Sequence, residues 1–353
     1  MTDDSAIITG DVHIKNRKGT RDLALGVQLL RDLERLATDN HTKTIILNGD
    51  TWDQKDSTKL PELDVLTTLY RELVRLRTLG FRVILVRGNH EAPLRSHPER
   101  TLLSLFARVC TVVIRPTRLR GIGWVSWILP WYPGPTFKRV LTFAGQSALK
   151  EPGRSYLIAH IGVKEGTVSP SNHRVNQEVS IYDFGWKVWD MVLLSDYHAH
   201  QTLASERVDE DMFYLGAPRP QTFGDFSNVG VWHVNWRTAE CRSLALPSIY
   251  PEFKTYEVRG LSDLPLLGYT TSNFNRIRVV QELNDHIRRM YPDSSRIALE
   301  GTVPRDLGRL EEGDGTEARG FDDPVTVFRA LCKAKKWSAQ HLKLGLKYLK
   351  EAV

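Results

Sequence analysis

"FRVILVRGNHE", residues 81–91, decides how this chain is read. Phe81 to Val86 form an apolar run, broken only by Arg82, with the length and β-branched content of a buried strand. The run stops at Gly88, and Asn89, His90 and Glu91 follow with nothing apolar between them. A strand and an ordinary turn would account for this. So would a strand whose end delivers an amide, an imidazole and a carboxylate to one place.

Four other apolar runs end in the same kind of chemistry. "AIIT" at 6–9 leads into Asp11 and His13, and "TIILNGD" at 44–50 leads into Asp50 and Asp53. "SYLIAHIG" at 155–162 carries His160, and "DMVLLSDYH" at 190–198 runs into Asp196 and His198, with His200 two residues on. Helical patterns lie between the early strands. Residues 21–38 place Leu23, Val27, Leu30 and Leu33 at helical spacing. Residues 61–79 open at Pro61, close before Gly80, and set Leu66, Leu69, Leu73 and Leu76 on one face. Strands separated by helices predict an α/β fold with a mostly parallel or mixed sheet. In such a sheet the strand ends lie along one edge, where ligand sites form.

Singly, these pieces are weak. Asp-X-His usually marks a strand end, Gly-Asp is turn chemistry, and a lone histidine is more often a satisfied core residue. Taken as an ordered set they point to metal. Carboxylate oxygen with neutral imidazole suits manganese, iron or zinc. A shared carboxylate can hold two ions roughly 3.5–4 Å apart, an arrangement that acidifies water and neutralises phosphate oxygens.

The rest of the chain bounds the possibilities. It has 353 residues and a formal charge of +6, compatible with a polyanionic partner. Cys110, Cys241 and Cys332 are far apart and make neither a zinc-like pair nor a disulfide pattern, so a reducing cytoplasm is expected. No apolar run is long enough to span a bilayer, and the acidic opening "MTDDSAIITGD" does not read as a secretory signal. Residues 1–245 form the main domain. Residues 246–303 make a small α/β unit, with strand-like "KTYEVRG", helix-like "NRIRVVQELNDHIRRMY" and strand-like "SRIALEGTV". A charged, glycine-rich linker at 304–322 precedes a helical pair at 323–353.

The ordered motifs resemble the calcineurin-like metallophosphoesterase superfamily. "GNHE", "HIGVKEG" at 160–166, "DMVLLSDYHAHQ" at 190–201 and "YLGAPRPQTFGD" at 214–225 look like SbcD-type nuclease subunits, the bacterial and phage relatives of the meiotic recombination eleven nuclease. The resemblance implies a four-layer sandwich of two sheets flanked by helices, with a small α/β capping domain. It implies a two-metal, manganese-dependent DNA nuclease (magnesium being the alternative) with exonuclease and possible structure-directed endonuclease activity. That enzyme would work in DNA recombination, repair or degradation, in a bacterial cytoplasm or encoded by a phage. Its partners would be DNA, an SMC-like coiled-coil ATPase held by the terminal helical pair, and a second copy of the chain.

Carried over by position, Asp11, His13 and His198 would hold one metal, Asn89 and His160 the other, with Asp50 between them. His90 would be the proton donor, oriented by Asp53, whose carboxylate favours the imidazolium. Lys15, Arg17, Lys18, Arg87 and Arg95 would touch phosphates. The chain departs from the family in one place: Ser195-Asp196-Tyr197-His198 stands where Gly-His-X-His is usual. In one register Asp196 completes the second metal set, and its hard oxygen tilts that site towards manganese or magnesium. In the other, His198 and His200 are the pair. A small-nucleotide phosphodiesterase or phosphatase of the same superfamily is the alternative function, and Glu91 has no assigned role.

Overall fold

The computed structural model describes residues 3–16, 22–53, 61–92, 101–167, 178–185, 188–203, 211–221, 230–248 and 250, with the backbone of strands at 253–258, 274–280 and 297–302. The linker and the terminal helical pair lie outside the described residues, as do Arg17, Lys18 and Arg95. The chain divides into Met1–Thr302 and Val303–Val353.

The elements follow the alternating pattern from the first strand. In order they are β1 (Ser5–Thr9), α1 (Asp22–Asp39), β2 (Thr44–Asn48), α2 (Leu63–Thr78), β3 (Arg82–Val86) and β4 (Thr111–Val113). Next come β5 (Thr117–Gly121), β6 (Trp124–Leu129), α3 (Gly134–Ala148), β7 (Arg154–His160), β8 (Met191–Ser195), β9 (Gln201–Thr202) and β10 (Met212–Tyr214). The main body closes with β11 (Val231–Asn235) and β12 (Glu240–Ser243).

Two six-stranded mixed sheets result. One runs β12-β11-β1-β2-β3-β4, with β1 to β4 parallel. The other runs β5-β6-β7-β8-β10-β9, with β6, β7, β8 and β10 parallel. Side-chain parity explains why these strands are apolar throughout. On β3, Val83 and Leu85 join Leu29, Leu33, Leu69 and Leu73 beneath α1 and α2. Their neighbours Ile84 and Val86 face the opposite way, into a core shared with Ile128, Tyr156, Ile158 and Leu193 of the second sheet. That sheet's outer face packs Trp127, Leu157 and Leu194 against Phe137 and Leu141 of α3. Both faces of each central strand are therefore buried, and a continuous apolar run is what such a strand needs. Each buried Leu, Ile or Val contributes about 1.5–3 kcal/mol by leaving water. The fold is the expected helix–sheet–sheet–helix sandwich.

A third sheet follows in sequence: β13 (Phe253–Val258), β14 (Phe274–Val280) and β15 (Ile297–Thr302), all parallel. Here the structure corrects an expectation. The helix anticipated over 275–291 begins instead with the central strand β14. In "FNRIRVV", Arg276 and Arg278 alternate with Ile277 and Val279, a period of two, and the β-branched residues favour a strand.

Candidate metal centre

The carboxyl ends of β1, β2 and β3 in the first sheet, and of β7 and β8 in the second, converge at one end of the sandwich. Short backbone hydrogen bonds lace the first two loops together: Asp11 N donates to Gly49 O, His13 N to Asp50 O and Ile14 N to Thr51 O. Asn48, the last residue of β2, stitches the sheets to each other. Its amide donates to Ala159 O and to Ser195 Oγ, each at 3.0 Å. Its own carbonyl accepts from His160 Nδ1 at 2.8 Å, which leaves the His160 Nε2 lone pair facing the centre.

Around this seam the structure gathers all seven expected ligands. His13 Nε2 and His198 Nε2 lie 3.1 Å apart, and Asp11, His13 and His198 can surround a single point. Asp50 stands between that trio and the other side. Its Oδ2 is 3.8 Å from His13 Nε2, and its Oδ1 is 3.4 Å from His160 Nε2. The outer atom of the Asn89 amide is 3.1 Å from His160 Nε2 and 2.9 and 3.0 Å from the two Asp50 oxygens. Asp196 Oδ1 is 3.7 Å from His160 Nε2. His200 is elsewhere: its Nδ1 donates to Tyr214 O at 2.7 Å, and its ring packs on Trp232 and Phe213. The geometry therefore favours the register in which Asp196 and His198 are the pair.

The backbone is bent to make this happen. Asp11, His13, Asp50 and Asp196 have φ of 53°, 46°, 49° and 119°, four of the six positive values among described non-glycine residues. Each such conformation costs about 1–3 kcal/mol and persists only where its surroundings over-determine it. Gly49 and Gly88 permit the close approach. A Cβ on Gly49 would lie 2.0 Å from His160 Nδ1, and one on Gly88 would lie 2.1 Å from Asp50 Oδ1.

Glu91, which had no assigned role, is the clamp. Its buried carboxylate accepts from Gly88 N at 2.8 Å and from Asp50, Thr51 and Trp52 N at 3.0, 2.6 and 3.3 Å. It locks the loop after β2 to the loop after β3. Gln221 adds a further tie, its amide donating to Val12 O between Asp11 and His13. A glutamate directly after a candidate ligand and the candidate proton donor is the trace of this in sequence.

The electrostatics suit cations. Burial raises the carboxyls of Asp11 and Asp196 to about 6, against the partly compensating charge of His160. Burial, with Asp50 beside it, raises Glu91 to about 8. Burial would raise Asp50 too, but His160, His90 and His13 hold it well below the usual carboxylate range. Burial disfavours the charged form of His160, yet Asp50 lifts it well above the ordinary imidazole value. Burial pushes His13 down, towards the neutral form that ligates metal. Asp11 Oδ1 is buried with no hydrogen-bond partner among the described residues. Converging lone pairs of oxygen and imidazole nitrogen, with one carboxylate common to both sides, fit two divalent ions.

His90 lies beside this set. Its Nε2 is 3.6 Å from Asp50 Oδ2, its Nδ1 is 3.7 Å from Asp53 Oδ1, and its side chain is 19% exposed. Lys15 Nζ is 3.6 Å from Asp53 Oδ2 and mostly covered. Arg87 is a correction. Expected on a phosphate, it is fully buried: its guanidinium donates to Ile114 O and Trp131 O and stacks on Tyr132. The arginine tail of β3 braces the route from β4 to the loop after β6, where main-chain carbonyls need donors.

Residues 5–211 match the calcineurin-like phosphoesterase family. No curated protein matches the chain. Among solved structures it is similar to a dimetal phosphatase from Danio rerio, at 13% identity over 60% of this chain and 85% of that one, with a TM-score of 0.42. It is also similar to GAP50, the anchor in the inner membrane complex of Plasmodium, at 10% identity over 69% and 89%, with a TM-score of 0.39. A third is the nuclease MPE of Pseudomonas putida, at 19% identity over 48% and 66%, with a TM-score of 0.26. No helix among the described residues is long and apolar enough to cross a membrane.

Proposed function

The chain belongs to the calcineurin-like phosphoesterase family, a family of metal-dependent hydrolases of phosphoester bonds, and on that premise we propose that it is a manganese-dependent DNA nuclease of the SbcD type. The observation that carries the proposal is the convergence of Asp11, His13, Asp50, Asn89, His160, Asp196 and His198 from two sheets onto one centre. DNA as the substrate is supported by the SbcD-like stretches around these residues and by the net charge of +6. The same resemblance supports exonucleolytic cleavage, cytoplasmic action, a homodimer and an SMC-like ATPase bound through the terminal helices.

When bound, two divalent cations supply the positive charge that neutralises phosphate oxygens and acidifies water. Asp11, His13 and His198 would hold one, Asn89, His160 and Asp196 the other, and Asp50 both. His160 is kept in the ligating tautomer by Asn48 O. His90, partly open to solvent, gives its proton to the leaving oxygen, and Asp53 sets the ring's orientation from the Nδ1 side.

The test is digestion of end-labelled linear duplex with manganese, with and without a coexpressed ATPase. Wild type should shorten the duplex from its ends, and His90→Ala should lose about 10²–10⁴ in rate while retaining its metal. One observation favours a compact phosphoester substrate instead: Arg87 is buried and Lys15 faces Asp53, so neither is spread along a strand track. If hydrolysis of a chromogenic phosphodiester is indifferent to added DNA, that second function replaces the first.

A further inference from the structure

We infer that the two halves of the centre select different metals. The half built from Asn89, His160 and Asp196 takes a hard, oxygen-preferring ion such as manganese or magnesium. The half built from Asp11, His13 and His198 takes a borderline ion such as zinc. This rests on the two-metal function proposed above and adds to it which ion goes where, and which residue decides.

The donor sets differ by one atom. With Asp50 common to both, the first half has one further carboxylate and two imidazoles, His13 and His198, whose Nε2 atoms lie 3.1 Å apart. The second has an amide oxygen, a carboxylate and a single imidazole, His160. Imidazole suits zinc, copper and iron, whereas carboxylate and carbonyl oxygen suit magnesium and manganese. Two nitrogens against one is therefore a difference in selectivity, and Asp196 is the residue that creates it.

Asp196 is held in place for that role. Its backbone N–H donates to Asp11 Oδ2 at 3.2 Å, and its φ of 119° is one that side-chain-bearing residues rarely adopt. Its Oδ1 faces His160, whose Nε2 is also the neighbour of Asp50 Oδ1 and of the Asn89 amide. Among the described residues, neither of the histidines that follow it in sequence is placed to stand in for it. His200 is tied to Tyr214 O and wedged among Trp232 and Phe213, and His198 faces His13.

The experiment is competitive loading. The purified full chain is incubated with two equivalents of zinc and a large excess of manganese, which offsets the generally higher affinity of zinc, and desalted. Its metal content is then measured by mass spectrometry, and bound manganese by electron paramagnetic resonance. Wild type should retain about one zinc and one manganese per chain, and Asp196→His should retain about two zinc. Asp196→Asn, nearly the same shape, should weaken only the manganese ion, by at least about tenfold. Two zinc ions in wild type, or an unchanged ratio in folded Asp196→His, would overturn the selectivity and leave the two-metal function standing. Less than one ion of either kind would overturn both. Should Asp196→His not fold, the wild-type ratio and the Asn variant decide alone.

Discussion

The space between the two sheets is filled in two opposite ways. Along most of its length it holds Ile8, Ile46, Ile84, Ile158 and Leu193, which need only one another. At its carboxyl end it holds Asp11, Asp50 and His160, which are just as buried. Burial alone therefore does not decide what a position is. The apolar stretch is held by exclusion of water. The polar end must be imposed on the chain by a carboxylate clamp, a sheet-to-sheet amide and four strained backbones, and it finds its full complement of partners only with cations present.

The sharpest way to probe this contrast is Asp50→Asn, which removes the charge shared by both halves of the centre. Turnover should fall on the order of 10³-fold or more, measured on any accepted phosphodiester. Ile84→Ala, one strand away, should do the reverse. It should cost about 2–5 kcal/mol in a urea titration and leave the turnover of folded protein nearly intact. If Ile84→Ala abolished metal binding at low denaturant, the two regions would not be separable. Glu91→Gln should cost about 1–3 kcal/mol, because the incoming NH₂ faces backbone N–H groups that lose their acceptor. An unchanged denaturation midpoint would remove the clamp.

A pH comparison sharpens the contrast further. Asp11 and Asp196 bind protons with pKa values of about 6, and Glu91 of about 8, against ordinary values of 3.8, 3.8 and 4.5. The folded state thus holds more protons than the unfolded state over that window, and the chelated chain loses stability as pH rises from about 4 to about 8. His160, raised above 6.5, adds to the loss as pH climbs through its folded value, while His13, pushed down by burial, opposes it around pH 6.5. Metal displaces those protons and binds more tightly at high pH. The gain in Tm on adding manganese should be larger at pH 8 than at pH 5. An equal gain would mean that the carboxyls are not where the metal binds. The smallest expected effect is that of His200→Ala, which should leave metal content unchanged where Asp196→Ala lowers it. The opposite result would restore the other register.

The sequence reveals the parts of this contrast that repeat. Doubly buried strands are uninterrupted apolar runs, so β1, β2, β3, β7 and β8 announce themselves, and the polar residues at their ends stand out against them. What depends on contacts between distant strands does not show. Nothing in "RGNHE" says that Arg87 turns inward to main-chain carbonyls while Glu91 gathers four N–H groups from two loops. The position of His200, which bears on the choice between it and Asp196, is also fixed across strands, by Tyr214 and Trp232. β14 was obscured differently: "NRIRVVQELNDHIRRMY" satisfies a helical period over its whole length and a strand period over its first few residues.

Asn48 carries one more consequence. The ligands proposed for each ion come from both sheets, and Asn48 ties those sheets together directly beneath them. No half-assembled chain owns a complete set of donors. A cation can therefore be captured only after the sheets have docked, and it acts on how slowly the protein comes apart rather than on how fast it forms. For a cell short of metal, the shortage would register as a shorter lifetime of the finished molecule, with the rate of its making unchanged.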